Sequence, residues 1–469
     1  MEVTGIVHDS RRVLPGNLFV ALRGQHVDGH DYILSAISSG ASAIIYDRPE
    51  WHIPSSVTAV CVEDSRSALP RLAANYYGHP ERTLTLFGIT GTNGKTTTNY
   101  ILQHILNYCG KATGRIGTTG AAFKDLKFDL IHTTPEADLI YEILSAFKDR
   151  AAAAVTLEVS SHALVQNRVS GLPFQAAVFT NLTQDHLDYH EDFESYLKAK
   201  QLLFNMLPSS GTAIINADDP AAEKMVANCP ARVVRFGFSP NSDYQIQNLR
   251  MKEAGMLLTL RSGSKTWNCQ TNAVGKFNAY NVLAAVVVAL ESGSQLEEVL
   301  AACRILPPVP GRLEKMDISA PFQVYVDYAH TPDAMETVLS TLSEAYPSRN
   351  LIVIFGCGGD RDKSKRPVMG EIATRIANRV VITDDNPRTE APMDIIHEIE
   401  RGCTNRQNYT IIQERAQALR QTLEDAHSGD IIAILGKGHE PYQEINGKRI
   451  PYSDMTIVNE YMESYGNSA

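Results

Sequence analysis

Two hydrophobic periods alternate along this chain. Residues 83–90 (TLTLFGIT) alternate and enrich β-branched and apolar positions, the pattern of a buried strand, and Gly91, Thr92, Asn93 and Gly94 then break it. From Lys95 onward Ile101, Leu102, Ile105 and Leu106 recur three and four apart, which predicts a helix. The same succession of apolar run, polar turn and helical spacing returns elsewhere. AAAAVTLEV from Ala151, AAVFTNL from Ala176 and GTAIINADD from Gly211 read as buried parallel strands, each ending in a polar cluster. FQVYVDYAH, NLIVIFG, NRVVITDDN and DIIAILGKG repeat the pattern in the last third of the chain. At the start, LFVAL reads as a strand, Ile33, Leu34 and Ile37 as a short helix stopped at Gly40, and Ala43 to Tyr46 as another strand. The fold class predicted is α/β, with parallel sheets.

The length suits about three domains. The boundaries expected are residues 1–82 for a small α/β domain, 83–310 for a central domain, and 311–469 for a last one. The proline-rich PPVPGR at 307–312 supports the second boundary, and residues 216–270 read as a β-rich, polar excursion.

Charge changes the picture of the ligands. With 43 basic and 53 acidic residues the net charge is −10, which argues against a general nucleic-acid surface. An anionic ligand would need basic residues gathered inside sites. The seven cysteines are scattered with no CxxC pair, so neither a zinc site nor a disulfide framework is expected, as fits a reducing compartment. The N-terminus, MEVTGIVHDSRR, lacks the apolar core of a signal peptide. The longest apolar run, residues 282–290, is far too short to span a bilayer. The expectation is a cytoplasmic monomer that enters no membrane and acts on small molecules.

The chemistry starts at residues 91–97. Strand, glycine turn and helix form the context of a phosphate-binding loop, in which freed backbone N–H groups and the helix dipole meet the anion. Lys95 would place a charge on the outer phosphates and the Thr96 hydroxyl would bind Mg²⁺. The usual loop has a glycine five residues before the second one, but Ile89 stands there, so GTNGKTT is a narrower variant. Glu158 and His186 close two of the following strands, where parallel sheets bind ligands. They are candidates for a metal beside the phosphates or for structural roles, and a His ligand would be unusual for Mg²⁺. Lys200 falls on the apolar stripe of Phe193, Tyr196, Leu197, Leu203 and Phe204, whereas Lys198 falls off it. An inward lysine either snorkels from the stripe edge or is paired or modified. In the last domain four strand ends feed loops carrying Asp327 and His330; Arg361, Asp362 and Lys365; Asp385, Asn386 and Arg388; and Gly436, Lys437, His439 and Glu440. On one sheet edge these loops would form a second site, where Arg361 and Arg388 grip carboxylates or form surface salt bridges.

GTNGKTT, EVSSHALVQNR, TNLTQDHLDYH, YLKAK, GKFNAYN, GRLE, DYAHTP, GCGGDRDKSKRPVMG, DDNPR and GKGHE, in this order, resemble the Mur ligases of peptidoglycan synthesis, above all the branch that adds the third peptide residue. The resemblance covers nearly the whole chain. It implies an N-terminal UDP-binding domain, a central P-loop ATPase and a C-terminal Rossmann-like domain. It also implies ATP- and Mg²⁺-dependent amide formation on UDP-N-acetylmuramoyl-L-alanyl-D-glutamate through an acyl phosphate, in support of wall growth, cell shape and division. By motif, Gly91, Thr92, Asn93, Gly94, Lys95, Thr96, Thr97, Asn278, Arg312 and Asp327 match nucleotide contacts. Thr96, Glu158, His186 and Lys200 match the metal set, and the family carbamylates the residue at the position of Lys200. His8, Ser10, Gln25, His26, Val27, Thr133, Thr134, Ser160, Gln166 and Arg168 match the UDP-substrate site, with His132 where the family often has asparagine. Arg361, Asp385, Asn386, Pro387, Arg388, Gly436 and Glu440 match the contacts of meso-diaminopimelate, Arg388 pairing with the distal carboxylate that lysine lacks and Glu440 with the distal ammonium. The DNPR and GKGHE motifs argue against a folylpolyglutamate synthase or the ligase of the terminal dipeptide. The presence of Lys95, Thr96, Glu158, His186 and Lys200 argues against a non-catalytic nucleotide-binding relative.

Overall fold

Strands that carry branched and aromatic apolar side chains on both faces are stable only inside a sheet covered on both sides, and three such sheets organise this chain. The computed structural model describes residues 2–24, 27–183, 192–252 and 255–466. The first sheet has four parallel strands, Ile6–Val7, Leu18–Val20, Ala43–Tyr46 and Thr58–Cys61, in chain order. Phe19 packs with Val13, Ile33 and Ile44 on one face, and Val20 with Ile45 and Leu69 on the other.

The second sheet has eleven strands. Its middle is parallel and runs Thr113–Gly117, Ala154–Glu158, Thr85–Thr90, Phe174–Phe179, Thr212–Asn216, Arg232–Gly237. The strand before the glycine turn is thus central. Ile89 pairs with Glu158 on one side and Thr90 with Phe179 on the other, so the turn emerges between two strand ends that bear polar groups. The polar stretch after Asn216 is a wing of this same sheet, adding Tyr244–Lys252, Gly255–Ser262 and Lys265–Thr271 at one edge. Helix Lys95–Tyr108 buries Ile101, Leu102, Ile105 and Leu106, as its spacing requires. Helix Lys276–Glu291 is apolar all round from residue 282 to 289 because every one of those side chains is buried. Among the described residues no helix is long and apolar enough to cross a membrane.

The third sheet runs Glu314–Lys315, Gln323–Asp327, Ile431–Leu435, Leu351–Phe355, Arg379–Ile382, Tyr409–Ile411, all parallel after the first short strand. Met335, Leu339, Met369 and Ile396 cover one face, and Leu419 and Val458 the other. The four loops singled out by sequence therefore leave one carboxyl edge. By packing, the chain forms two units, one of residues 1–247, 259–267 and 280–303, the other of 248–258, 268–279 and 304–469.

Candidate active site

Gly91 has φ +149° because the loop turns hard against the next strand end: a Cβ there would lie 1.9 Å from Thr180 Oγ1. Gly94 has φ +86°, and a Cβ would meet Asn281 Oδ1 at 2.3 Å. These contacts explain why the loop's first glycine stands at 91 and Ile89 is buried strand. Asn181 fixes the turn by accepting from the Asn93 N–H at 2.8 Å and donating to its carbonyl at 3.1 Å. Lys95 curls over the loop, its Nζ donating to the Gly91 and Thr92 carbonyls at 2.9 Å each. Beside it Glu158 is fully buried. Its Oε2 accepts from the Thr96 hydroxyl at 2.8 Å and the Thr118 hydroxyl at 3.0 Å, and Oε1 from the Thr118 N–H at 3.1 Å. A hydroxyl and a carboxylate in contact at the mouth of a phosphate loop are hard oxygen donors, which fits Mg²⁺. Among the described residues no three His, Cys, Asp or Glu side chains gather into a metal cluster. Lys200 is buried rather than snorkelling: Nζ donates to the Gly91 carbonyl at 2.9 Å and lies 4.5 Å from the centre of the Tyr196 ring. The stripe holds for Tyr196, Leu197, Leu203 and Phe204, but Phe193 is exposed because the helix begins there, capped by Asp192.

A cleft of about 780 Å³ lies in the same unit, lined by His8, Ser10, Val27, Thr133, Ser160, Gln166 and Arg168 together with Arg11, Arg66 and His132. The gathered cations suit an anionic ligand despite the acidic chain. Arg168 is held by Glu136 at 3.0 Å and by the Thr134 carbonyl at 2.7 Å, so its guanidinium is aimed before any ligand arrives. Burial alone would lower the His8 pKa, but the hydrogen bond and charge of Asp138, 2.8 Å away, outweigh it and raise it. Burial, then the charge of Arg168, lowers that of His132. Thr134 lies beneath the cleft, donating to the Glu158 carbonyl at 2.7 Å. Thr118 Oγ1 stands 3.1 Å from Thr133 Oγ1, which links the phosphate loop to the cleft.

In the other unit Asp327 closes its strand by accepting the Leu313 and Ala329 N–H groups. Burial raises its pKa, against the nearby Arg312 charge. Arg312 lies 4.8 Å from the Tyr328 ring centre, and burial, then Arg312, pushes His439 down to about 4. Asn278 donates to the Val274 carbonyl at 2.8 Å. Around the next three strand ends, Lys437 Nζ is buried and donates to Asn386 Oδ1 at 3.0 Å and Glu440 Oε2 at 3.1 Å. Asn386 Nδ2 also donates to Glu440 Oε2, at 2.9 Å. Both contacts fall on one carboxylate oxygen, and Oε1 accepts no hydrogen bond among the described residues. The buried Asp385 Oδ2 has no hydrogen-bond partner among the described residues, and at Gly436, with φ +110°, a Cβ would lie 2.4 Å from it. Arg388 adopts φ +51°. Its Nη1 donates to the Gly359 carbonyl at 2.6 Å and its Nε to Glu444 at 3.1 Å. Arg361 is exposed beside it.

Residues 2–77 match the model described as Mur ligase family, catalytic domain, residues 89–289 the Mur ligase middle domain, and residues 311–438 the Mur ligase glutamate ligase domain. The UDP-N-acetylmuramoyl-L-alanyl-D-glutamate--2,6-diaminopimelate ligase of Halalkalibacterium halodurans is 42% identical over 466 residues, covering 98% of this chain and 94% of that relative. The chain belongs to the Mur ligase family. A protein of the same name from Cytophaga hutchinsonii is 38% identical over 469 residues, 99% of this chain and 96% of its own. Among solved Mur ligases, a 2,6-diaminopimelate ligase superposes with TM-score 0.70 at 32% identity, covering 99% of this chain and 95% of that one. The ligase MurF of Thermotoga maritima, solved with ADP, superposes with TM-score 0.70 at 20% identity, covering 99% and 98%, and shares the fold.

In this Mur ligase most candidate residues fall into three groups, each within one unit, whereas Asn278, Arg312 and Asp327 do not share the unit of residues 91–97. Gly91 to Thr97 sit with Glu158 and Lys200. Seven of the expected UDP-substrate contacts line one cleft, while Gln25, His26 and His186 lie outside the described residues. Asp385, Asn386, Pro387, Arg388, Gly436 and Glu440 share the carboxyl edge of the third sheet with Arg361. Sequence reasoning missed Thr118, Asn181 and Glu444. Asn181 follows the strand that flanks the phosphate-loop strand on one side, and Thr118 follows the strand two places away on the other, placements at the same sheet edge that could have drawn attention to them. Glu444 stands on the hairpin strand Tyr442–Ile445, which has no signature of its own.

Proposed function

We propose that this chain is an ATP-dependent amide ligase that adds meso-2,6-diaminopimelate to UDP-N-acetylmuramoyl-L-alanyl-D-glutamate in peptidoglycan synthesis. The observation that carries this reading is end-to-end identity of about 40% to ligases of that name. The pocket chemistry supports it: Arg388 for a distal carboxylate, and Glu440 with one oxygen open for a distal ammonium. The substrate carboxylate takes the γ-phosphoryl group of ATP, and the amine of the amino acid then attacks the acyl phosphate and expels phosphate. Lys95 and the N–H groups of the phosphate loop hold and orient the phosphates. Thr96, Glu158 and carbamylated Lys200, with His186, would hold Mg²⁺, which when bound supplies charge neutralisation at the transferring group. The cleft of Arg168 and His8 takes the UDP-linked substrate. Asn278, Arg312 and Asp327 take the nucleotide. The reading includes domain limits at 82/83 and 310/311, a monomer, and a cytoplasmic site where ATP and the UDP-linked substrate meet.

The test is phosphate release with ATP, Mg²⁺ and the UDP-muramoyl-dipeptide. Release is expected with meso-diaminopimelate and not with L-lysine. The reverse result would keep the ligase and remove the assigned amino acid. Release with neither would point to another acceptor.

Lys200 is buried on the phosphate loop, at the position where the resemblance implies a carbamate; addition of CO₂ to its amine, with loss of a proton, would give an anion suited to a metal. Native mass spectrometry is expected to find the mass of one added CO₂ in the wild-type chain and none in Lys200→Met. Absence of the adduct at saturating bicarbonate would take Lys200 out of the metal set.

A further inference from the structure

Two loops carry the arginines of the amino-acid pocket, and one buried ion pair joins them. Arg366 is fully buried on helix Lys365–Ile376, directly after the Arg361 loop. Its Nη1 and Nη2 each donate to a different oxygen of Glu390 at 2.9 Å, a bidentate pair that fixes orientation as well as distance. Nη2 also donates to the Gly358 carbonyl at 3.1 Å, and Nη1 to Glu398 at 2.7 Å. Glu390 follows Arg388 by two residues. Besides Arg366, it accepts the Asp360 N–H at 2.6 Å and meets Lys363 Nζ at 3.0 Å. Asp360 reaches back across the same gap to the Thr389 hydroxyl at 2.7 Å and N–H at 3.2 Å. The joined backbone segment includes Gly359, whose N–H donates to the Asn386 carbonyl at 2.9 Å and whose carbonyl receives Arg388 Nη1.

We infer that Glu390, through Arg366 and the Asp360 N–H, is a positioning residue that sets the aim of Arg388 and its distance from Arg361. The inference rests on the reading above that these arginines meet the amino-acid substrate. Both Glu390 oxygens are occupied by the clasp, so it has no role as a ligand contact. The Arg366 guanidinium holds its carboxyl down at about 2, so the clasp stays charged throughout the working pH range.

In the full chain, Glu390→Gln places an NH₂ where one of these donors must be met and removes the charge. The KM for meso-diaminopimelate is expected to rise on the order of 10- to 100-fold, the cost of a misplaced binding group. The KM values for ATP and the UDP-muramoyl-dipeptide should stay within about twofold. Glu390→Asp, which keeps the charge, should recover part of the loss. Should Glu390→Gln fail to fold, Thr389→Val removes the exposed outer bond of the clasp and should raise the same KM several-fold. An unchanged amino-acid KM, or an equal rise in all three, would overturn the inference. A wild-type enzyme inactive with diaminopimelate would instead overturn the functional reading beneath it.

Discussion

Replacing Glu158 by glutamine is expected to lower the rate of phosphate release on the order of 10³-fold, about 4 kcal/mol, while leaving the chain folded. Among the described residues, every group hydrogen-bonded to this carboxylate is a donor: the Thr96 and Thr118 hydroxyls on Oε2 and the Thr118 N–H on Oε1. A glutamine must turn its NH₂ toward one side. The Thr118 N–H can only donate, so the amide oxygen must stay there. The NH₂ then faces the hydroxyls, which can rotate to accept, so the site remains satisfied and the fold survives. The Thr96 lone pair then points at an amide proton instead of at a cation, and the carboxylate charge is gone. Two oxygen donors proposed for Mg²⁺ are thus impaired by one isosteric change. The check is kcat against Mg²⁺ concentration, together with the thermal midpoint. A folded variant with the wild-type Mg²⁺ dependence would take Glu158 out of the metal set.

Local pattern made the phosphate loop legible, because strand, glycine and helix periods meet within about twenty residues. Even there, the choice of Gly91 follows from Thr180, just past the end of another strand, whose Oγ1 a Cβ at position 91 would meet at 1.9 Å. Lys200 was readable as inward because the helical stripe fixed its face, but not what it would touch. The four loops of the last sheet were readable because the same unit repeats, and parallel topology then places all their strand ends on one edge. Side-chain pairings across long separations left no trace. His8 meets Asp138 130 residues away, and Arg388 meets Glu444 56 residues away. Periodicity encodes which face is buried; it carries no information on which charged residue of one loop finds which residue of another.

On the proposed assignment of Arg388 to the distal carboxylate, its contact with Glu444 bears on choice of substrate. The guanidinium holds a carboxylate of the protein, and binding a distal carboxylate means sharing or exchanging that partner. Lysine offers no distal carboxylate, so it leaves the arginine where it is. Arg388→Met should therefore lower kcat/KM for meso-diaminopimelate about 30- to 5,000-fold, the equivalent of about 2–5 kcal/mol for losing one partner of a desolvated charged pair. The loss is compounded because Glu444 would then face the substrate carboxylate with no cation between them. Turnover with L-lysine, however low, should change by less than about threefold, since it never used the pair. The measurement is the ratio of kcat/KM for the two amino acids in wild type and variant. An equal fall with both would mean that Arg388 supports the fold of the pocket through Gly359 rather than reading the distal group. A fall with diaminopimelate alone would assign the discrimination to this one guanidinium.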